Sequence, residues 1–275
     1  MRRRALQFCS AGITDRHDGE QMDRVDLNCD MGESFGAYTI GADDAVFPFI
    51  TSANIACGFH GGDPRVMRTT LAAARERGVA VGAHPGFQDL IGFGRRTMDV
   101  TPQEAYDLVV YQVGALLGFA NAGGVRLQHV KAHGALYNMA AARADLAAAI
   151  ARAVRDVDAG LVLFGLPGSN LISEAESIGL PTASEAFADR NYMPDGSLVS
   201  RRRPDAQVHD ADEAVRRSIR MVRDGVVQAV DGKDIPIRAD TICIHGDGPH
   251  AAEFARRLRT AFEDAGITVA AVGRP

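Results

Sequence analysis

Hydrophobic positions along the chain fall into short runs separated by longer stretches of helical spacing. Apolar, β-rich runs occupy Val25–Cys29, Ser52–Cys57, Val79–Ala83, Leu127–Lys131, Leu161–Gly165, Pro181–Ser184 and Thr241–His245. Their lengths suit buried strands. Between most of them lie Ala-, Leu- and Arg-rich stretches at 64–77, 102–120, 143–157, 210–224 and 249–265, which predict helices. Asp63-Pro64 and Thr101-Pro102 have the form of an N-cap followed by proline in the first turn, and Thr101 with Glu104 fits a capping box. Gly78, Gly179 and Gly266 stand where helices should stop. Strands alternating with helices predict a parallel sheet with covering helices. Val226–Val230 and Ile235–Arg238, joined through Asp231-Gly232, predict a β-hairpin set before the last main strand.

Length and composition sharpen this reading. The 275 residues suit one α/β barrel, which needs about 250. Aromatic residues are only 6% and tryptophan is absent, so the core must rest on Ala, Val, Leu and Ile. Net charge is −5 with both signs intermixed, which argues against a nucleic-acid partner. No apolar run is long enough to span a membrane. Residues 11–24 are polar and aperiodic, and 1–21 are expected to be a disordered extension, leaving 22–275 as a single catalytic barrel domain. The basic runs Arg2–Arg4 and Arg201–Arg203 read as solvated ends and loops. Cys9, Cys29, Cys57 and Cys243 form no C-x-x-C pair and read as reduced thiols of a cytoplasmic protein, with Cys57 the one candidate nucleophile.

The candidate chemistry lies just beyond the strands. Asn28 and Asp30, Asn54 and His60, His84, Lys131 and His133, Glu185, and His245 and Asp247 all follow or end strand runs. In an α/β barrel those ends converge on one mouth. Strand alternation places His129, Lys131 and His133 on one face, and Asn28 with Asp30 on another, both directed into the lumen. An inward Lys131 must pair with carboxylates or have a lowered pKa, and Asp30, Glu33, Glu185 and Asp247 are the available partners. Asp30, His60 and His133 form a candidate divalent-metal set drawn from three strand ends; the alternative is a hydrogen-bonded histidine network without metal. The glycine-rich turn Gly58–Pro64 offers helix-start N–H groups to an anion. Phe87–Arg96 reads as a mobile flap whose Arg95 or Arg96 meets a substrate carboxylate. Gly232-Lys233 is followed by Asp234, so the chain carries no nucleotide-binding P-loop, and it has no H-E-x-x-H or G-x-S-x-G.

Several segments, in order, resemble the LamB/YcsF family. They are Val25–Glu33, Ser52–Asp63, Gly82–Pro85, Val130–Asn138, Glu185–Arg190 and Asp240–Asp247, spread over residues 24–273. The resemblance implies a seven-stranded β/α barrel similar to the glycoside hydrolase/deacetylase superfamily. It also implies a subunit of an ATP-dependent 5-oxoprolinase, which opens the lactam of 5-oxo-L-proline to L-glutamate with ATP and Mg²⁺. Two partner subunits related to urea-amidolyase components are implied with it, and the missing nucleotide loop allows ATP to be bound by one of them. On this reading Asp30 or Glu185 is the general base, aided by histidines tuned near neutral pH. Lys131 and His133 stabilise developing negative charge, while His60, His84 and His245, with Asn28, Asn54 and Asp247, position substrate or shuttle protons. Two rivals remain: a metal-dependent deacetylase or amidohydrolase, and a non-catalytic subunit that only binds 5-oxoproline.

Overall fold

The computed structural model describes residues 23–245 and 251–273; the expected extension over 1–21, Cys9 and Asp247 lie outside them. Strands β1 (Arg24–Met31), β2 (Ser52–Ala56), β3 (Ala80–His84), β4 (Leu127–Lys131), β5 (Val162–Gly165) and β6 (Thr182–Phe187) pair in parallel, each with the next. The antiparallel hairpin β7 (Val226–Gln228) and β8 (Asp234–Pro236) follows, then β9 (Thr241–Ile244). β9 pairs with β6 on one side and β1 on the other, for example Asp26↔Thr241, so seven parallel strands close into a barrel. A short β10 (Thr268–Val269) adds to the start of β1.

The sequence of β1 shows why the lumen is polar. Val25, Leu27, Cys29 and Met31 face outward into the apolar layer beneath the helices, while Asp26, Asn28 and Asp30 face inward. Every residue of the strand after Arg24 is buried. Period-2 alternation that would mark a half-solvated strand in an open sheet here separates two buried environments.

The covering helices are α2 (Pro64–Glu76), α3 (Pro102–Ala122), α4 (Gly134–Ala142), α5 (Ala144–Val157), α6 (Asn170–Ser177), α7 (Ala211–Arg223) and α8 (Ala251–Asp264), after a single-turn α1 (Asp43–Val46). Asp63 caps α2 by accepting from the N–H groups of Arg65 and Val66, and Thr101 with Glu104 forms the expected capping box on α3. Such caps each contribute about 1 kcal/mol. Gly78, Gly179 and Gly266 all take positive φ at helix ends, as their positions predict.

Several elements differ from expectation. The strand expected at Pro181–Ser184 runs on to Phe187, which puts Glu185 inside it. The strand expected at Val79–Ala83 starts and ends one residue later, taking in His84. The hairpin strands are shorter than predicted, at three residues each. Helices α4 and α6 have no clear mark in the sequence: one opens on glycine with no side-chain cap, the other is eight residues long.

Candidate active site

The lumen is filled from its N-terminal end by a column of hydrogen bonds. At the bottom Asp26, 1% exposed, accepts from the hydroxyls of Thr51, Ser52 and Thr241. Burial pushes its carboxyl up from the ordinary range, against the pull of those hydroxyls. One layer higher, Asn28 Nδ2 donates to Thr241 Oγ1 at 2.7 Å and Asn54 Nδ2 donates to Asn28 Oδ1 at 2.8 Å. His129 Nε2 donates to Asn54 Oδ1 at 2.8 Å. Burial, then the charge of Lys131, lowers the His129 imidazole to about 3 and keeps it neutral. Its ring lies where Gly82 has no side chain: a Cβ there would sit 2.1 Å from His129 Nε2.

Lys131 forms the next layer. Its ammonium lies 2.8 Å from Asp30 Oδ1 and 2.8 Å from Glu185 Oε1, with Cys243 Sγ at 3.0 Å and Asn28 Oδ1 at 3.3 Å. Burial alone would lower the lysine, but Asp30, Cys243 and Glu185 outweigh it and hold its pKa well above the usual value. Asp30 is the mirror case. Burial would raise its carboxyl, yet His84 and Lys131 hold it well below the carboxylate range. Asn54 Nδ2 also donates to Asp30 Oδ1 at 2.8 Å, so the column below orients this carboxylate. Tyr137, at 4% exposure, has its hydroxyl pushed well up by burial and by the charge of Glu185.

Beside this layer stands a histidine cluster whose tautomers are set by backbone. His84 Nδ1 lies 2.7 Å from the Lys131 carbonyl and His133 Nε2 lies 2.8 Å from the Phe93 carbonyl. A carbonyl only accepts, so both of these nitrogens carry hydrogen. The remaining nitrogens, His84 Nε2 and His133 Nδ1, then face each other at 2.9 Å with lone pairs opposed. Asp30 Oδ2 lies 3.2 Å from His84 Nε2, and Glu33 Oε1 lies 3.7 Å from His133 Nδ1. A proton or a metal ion must lie among so many acceptors. His60 stacks on His133 at 3.7 Å, its Nε2 is 3.5 Å from Glu33 Oε1, and neither of its ring nitrogens has a hydrogen-bond partner.

Donor atoms of Glu33, His60, His84 and His133 all lie within 4.8 Å of one another. Two nitrogens held at about 2.0–2.1 Å from one ion stand roughly 2.9–3.4 Å apart, which the 2.9 Å pair meets. Imidazole N–H groups bonded to backbone carbonyls are the usual support for such ligands. The residues present therefore fit a divalent ion. The structure gathers His60 and His133 with Glu33 and His84, whereas Asp30, expected as the third ligand, is turned toward Lys131 and His84.

At the mouth, His245 Nδ1 donates to Asp189 Oδ2 at 2.8 Å, and Arg201 Nη2 donates to His245 Nε2 at 2.8 Å. Asp30, His84, Lys131, His133 and His245 line a cavity of about 40 Å³, with Arg95, Arg190 and Arg201 at its outer side. That space is close to the share of one water, about 30 Å³. Asn28, Asn54 and His60, expected to contact substrate, are fully buried and do not line it. Glu185 is sealed beneath Lys131 and does not line it either.

The structure corrects several other expectations. The N–H groups at the start of α2 are taken by Asp63 itself, whose second oxygen accepts from Gly36 N–H, so that turn has no vacancy for an anion. Phe87–Arg96 is not a loose flap: Arg96 Nε donates to Asp89, Gly94 N–H to the Asp89 carbonyl, and Ala135 N–H to the Gly94 carbonyl. Phe93 holds φ 54°, rare for a non-glycine, and this presents its carbonyl to His133. His60 and His133 are not tuned near neutral pH: burial, then neighbouring imidazoles, holds both well below the usual value. With both of its nitrogens engaged, His133 also has no donor to offer a developing oxyanion. Cys57 is buried, its thiol meets the Ile55 carbonyl, and burial pushes it up to about 12, which closes the nucleophile reading. Arg201 is exposed in a turn, as expected, and also reaches the mouth, where it donates to His245.

Three contributors have no assigned role in the sequence pattern. Cys243 reads there as inert packing, and Tyr137 and Asp189 stand inside family motifs without a function of their own. Period-2 alternation from Thr241 marks Cys243 as lumen-facing, a signal present in the sequence.

Comparison with known proteins agrees with the motifs. The LamB/YcsF family model matches residues 25–275. A 5-oxoprolinase subunit of Bacillus licheniformis is 60% identical over 250 residues, covering 91% of this chain and 99% of the relative. The corresponding 5-oxoprolinase subunit of Bordetella pertussis is 62% identical over 247 residues, covering 90% and 98%. Among solved structures, a lactam utilization protein from Thermus thermophilus superposes with TM-score 0.86 at 50% identity, covering 90% of this chain and 99% of that one.

Proposed function

Since the chain belongs to the LamB/YcsF family, we propose that it is a subunit of a 5-oxoprolinase, a hydrolase that opens the lactam of 5-oxo-L-proline to L-glutamate. Relatives named as 5-oxoprolinase subunits cover nearly the whole of it, which supports work within a multi-subunit complex. ATP with Mg²⁺ drives the reaction on this reading, together with two partners of urea-amidolyase type, and residues 22–275 act as one catalytic domain. No helix among the described residues is long and apolar enough to cross a membrane; the ATP requirement favours the cytoplasm.

The observation that carries the reading is the Lys131 ammonium between Asp30 and Glu185 beneath a funnel that Asp30 alone of the two carboxylates reaches. A lactam carbonyl is a poor electrophile with a poor leaving group, and ATP supplies activation at the carbonyl oxygen. In this assignment Asp30 orients the attacking water and takes its proton. A carboxylate held so low is a weak base, which suits an electrophile that has been activated. Lys131 stabilises charge developing on the former carbonyl oxygen. As the C–N bond breaks, the nitrogen needs a proton. The proton that Asp30 takes from water goes to this nitrogen, and His245, with Nδ1 anchored on Asp189, can relay it by first accepting it at Nε2 in place of the Arg201 N–H. His84 links Asp30 to the histidine cluster.

A second reading, metal-dependent amidohydrolase, is favoured by the opposed lone pairs of His84 and His133 beside Glu33. Those residues with His60 would hold the ion, which would supply a Lewis acid. Glutamate release from 5-oxoproline with ATP and Mg²⁺ tests the two, measured for the chain alone and with both partner subunits. Turnover confined to the full mixture, reduced about 10²-fold or more by Asp30→Asn in folded protein, is expected. Full activity in that variant sinks the assignment of Asp30. ATP-independent turnover that follows bound metal moves the function to the second reading.

A further inference from the structure

Beside the funnel, on the β5–β6 side of the barrel mouth, lies a much larger cavity of about 920 Å³. A single-ring lactam leaves most of it empty, whereas drug-sized ligands occupy pockets of about 300–1,000 Å³. Its lining carries the guanidinium groups of Arg95, Arg143, Arg190, Arg201 and Arg202 against one carboxylate, that of Asp195.

Arg143 is paired with Asp145, but the charge of Arg190 has no such partner among the described residues. Arg190 is 4% exposed, yet its guanidinium donates to the carbonyls of Val199 and Ala206 rather than to a carboxylate. Burial, then the adjacent Arg201, presses its pKa down to about 10. Buried cations are ordinarily paired, and an anion beside Arg190 and Arg201 would relieve both effects.

The floor points the same way. β5 ends at Gly165, and the chain turns through residues 166–169 into α6. Ser169 is the N-cap of that helix and lines the cavity, but its hydroxyl makes no capping bond and has no other hydrogen-bond partner at 8% residue exposure. A buried, unused hydroxyl at a helix start, facing arginines, suits phosphate oxygens. The cavity also shares Arg95, Arg190 and Arg201 with the funnel that holds Asp30 and Lys131. A ligand lying in it therefore ends next to the reacting carbonyl.

We propose that this cavity binds the polyphosphate of a nucleoside triphosphate, between Ser169 at the start of α6 and Arg190, Arg201 and Arg202, so that nucleotide is held on this chain without a P-loop. Naming the polyanion as a nucleoside triphosphate rests on the 5-oxoprolinase reading.

Calorimetric titration of the full chain alone with ATP, ADP, AMP and inorganic phosphate tests it. Affinity should fall in the order ATP, ADP, AMP. Ser169→Asp keeps a good N-cap but sets a carboxylate against phosphate, and Arg202→Glu reverses an exposed charge. Each should weaken ATP binding about tenfold or more with Tm unchanged. Binding of phosphate alone as tightly as ATP would assign the cavity to an inorganic anion and overturn the nucleotide proposal. Absence of ATP binding, or binding indifferent to both variants, overturns it as well. If the assembled subunits still release glutamate in that case, the 5-oxoprolinase reading stands and the nucleotide belongs to a partner. ATP binding without glutamate release from the assembly would remove that reading and leave the cavity a nucleotide site.

Discussion

Replacing Lys131 by methionine separates what the lysine does for the fold from what it does for chemistry. Methionine keeps most of the length and apolar volume of the stem but removes the charge that separates two carboxylates. At 2.8 Å each ion pair is worth about 6 kcal/mol gross at an effective dielectric of 20, most of it offset by desolvation. Removing one partner of such a buried pair costs about 3–5 kcal/mol net, because Asp30 and Glu185 remain buried without a counter-charge. That is a large share of the 5–15 kcal/mol typical of a whole domain. Adding Glu185→Gln removes one of the stranded charges and should restore at least about 1–2 kcal/mol, while turnover stays abolished in both variants. Urea unfolding followed by circular dichroism gives the stability, and glutamate release with partners and ATP gives the turnover. A loss below about 1 kcal/mol for Lys131→Met would show that the lysine does not neutralise a buried carboxylate pair. Retained turnover in either variant would remove Lys131 from the mechanism.

Three further outcomes are expected. Asp189→Asn leaves His245 without its anionic anchor and should reduce turnover about 10²-fold or more with little change in Tm; a matching loss of stability would make Asp189 merely structural. In a Cys9→Ser background, Ellman's reagent at pH 8 should find no reactive thiol until the protein is unfolded. Burial raises Cys29, Cys57 and Cys243, Cys57 to about 12, so at pH 8 only about one part in ten thousand of Cys57 is thiolate; rapid native labelling at any of the three contradicts this. Gly82→Ala drives a Cβ into His129 and should cost about 1–3 kcal/mol, read from the same urea curves, whereas a neutral effect would mean the lumen column can shift to make room.

The sequence carried much of the fold because its signals are local. Asp63-Pro64 and Thr101-x-x-Glu104 each mark a helix start through bonds a few residues long, and the glycines at 78, 179 and 266 mark helix ends through a backbone angle few other residues adopt. Helix α4 escaped because Gly134 is a poor helix opener and its alanine run merges with that of α5. The strand ends also announced the mouth, since histidine, lysine and carboxylate side chains seldom follow apolar runs for packing reasons.

Depth within the lumen was not legible. Alternation places Asn28, Asp30, Asn54 and Lys131 inside, but it does not separate a side chain that floors the site from one that meets solvent. Asn28 is saturated by Thr241, 213 residues away in the chain, and only closure of β9 onto β1 makes that bond. The same closure brings Cys243 onto Lys131 and leaves Asp30, not Glu185, at the funnel. Likewise Arg190 and Arg201 looked like ordinary charged residues until the fold laid them side by side above Ser169. By itself the sequence determined the alternating elements, their caps and the inventory of polar groups at the strand ends, all consequences of short-range backbone and side-chain preferences. The tertiary structure decided which of those groups are buried, which are paired and which face the cavity, because burial and charge pairing depend on neighbours that barrel closure brings in from distant parts of the chain.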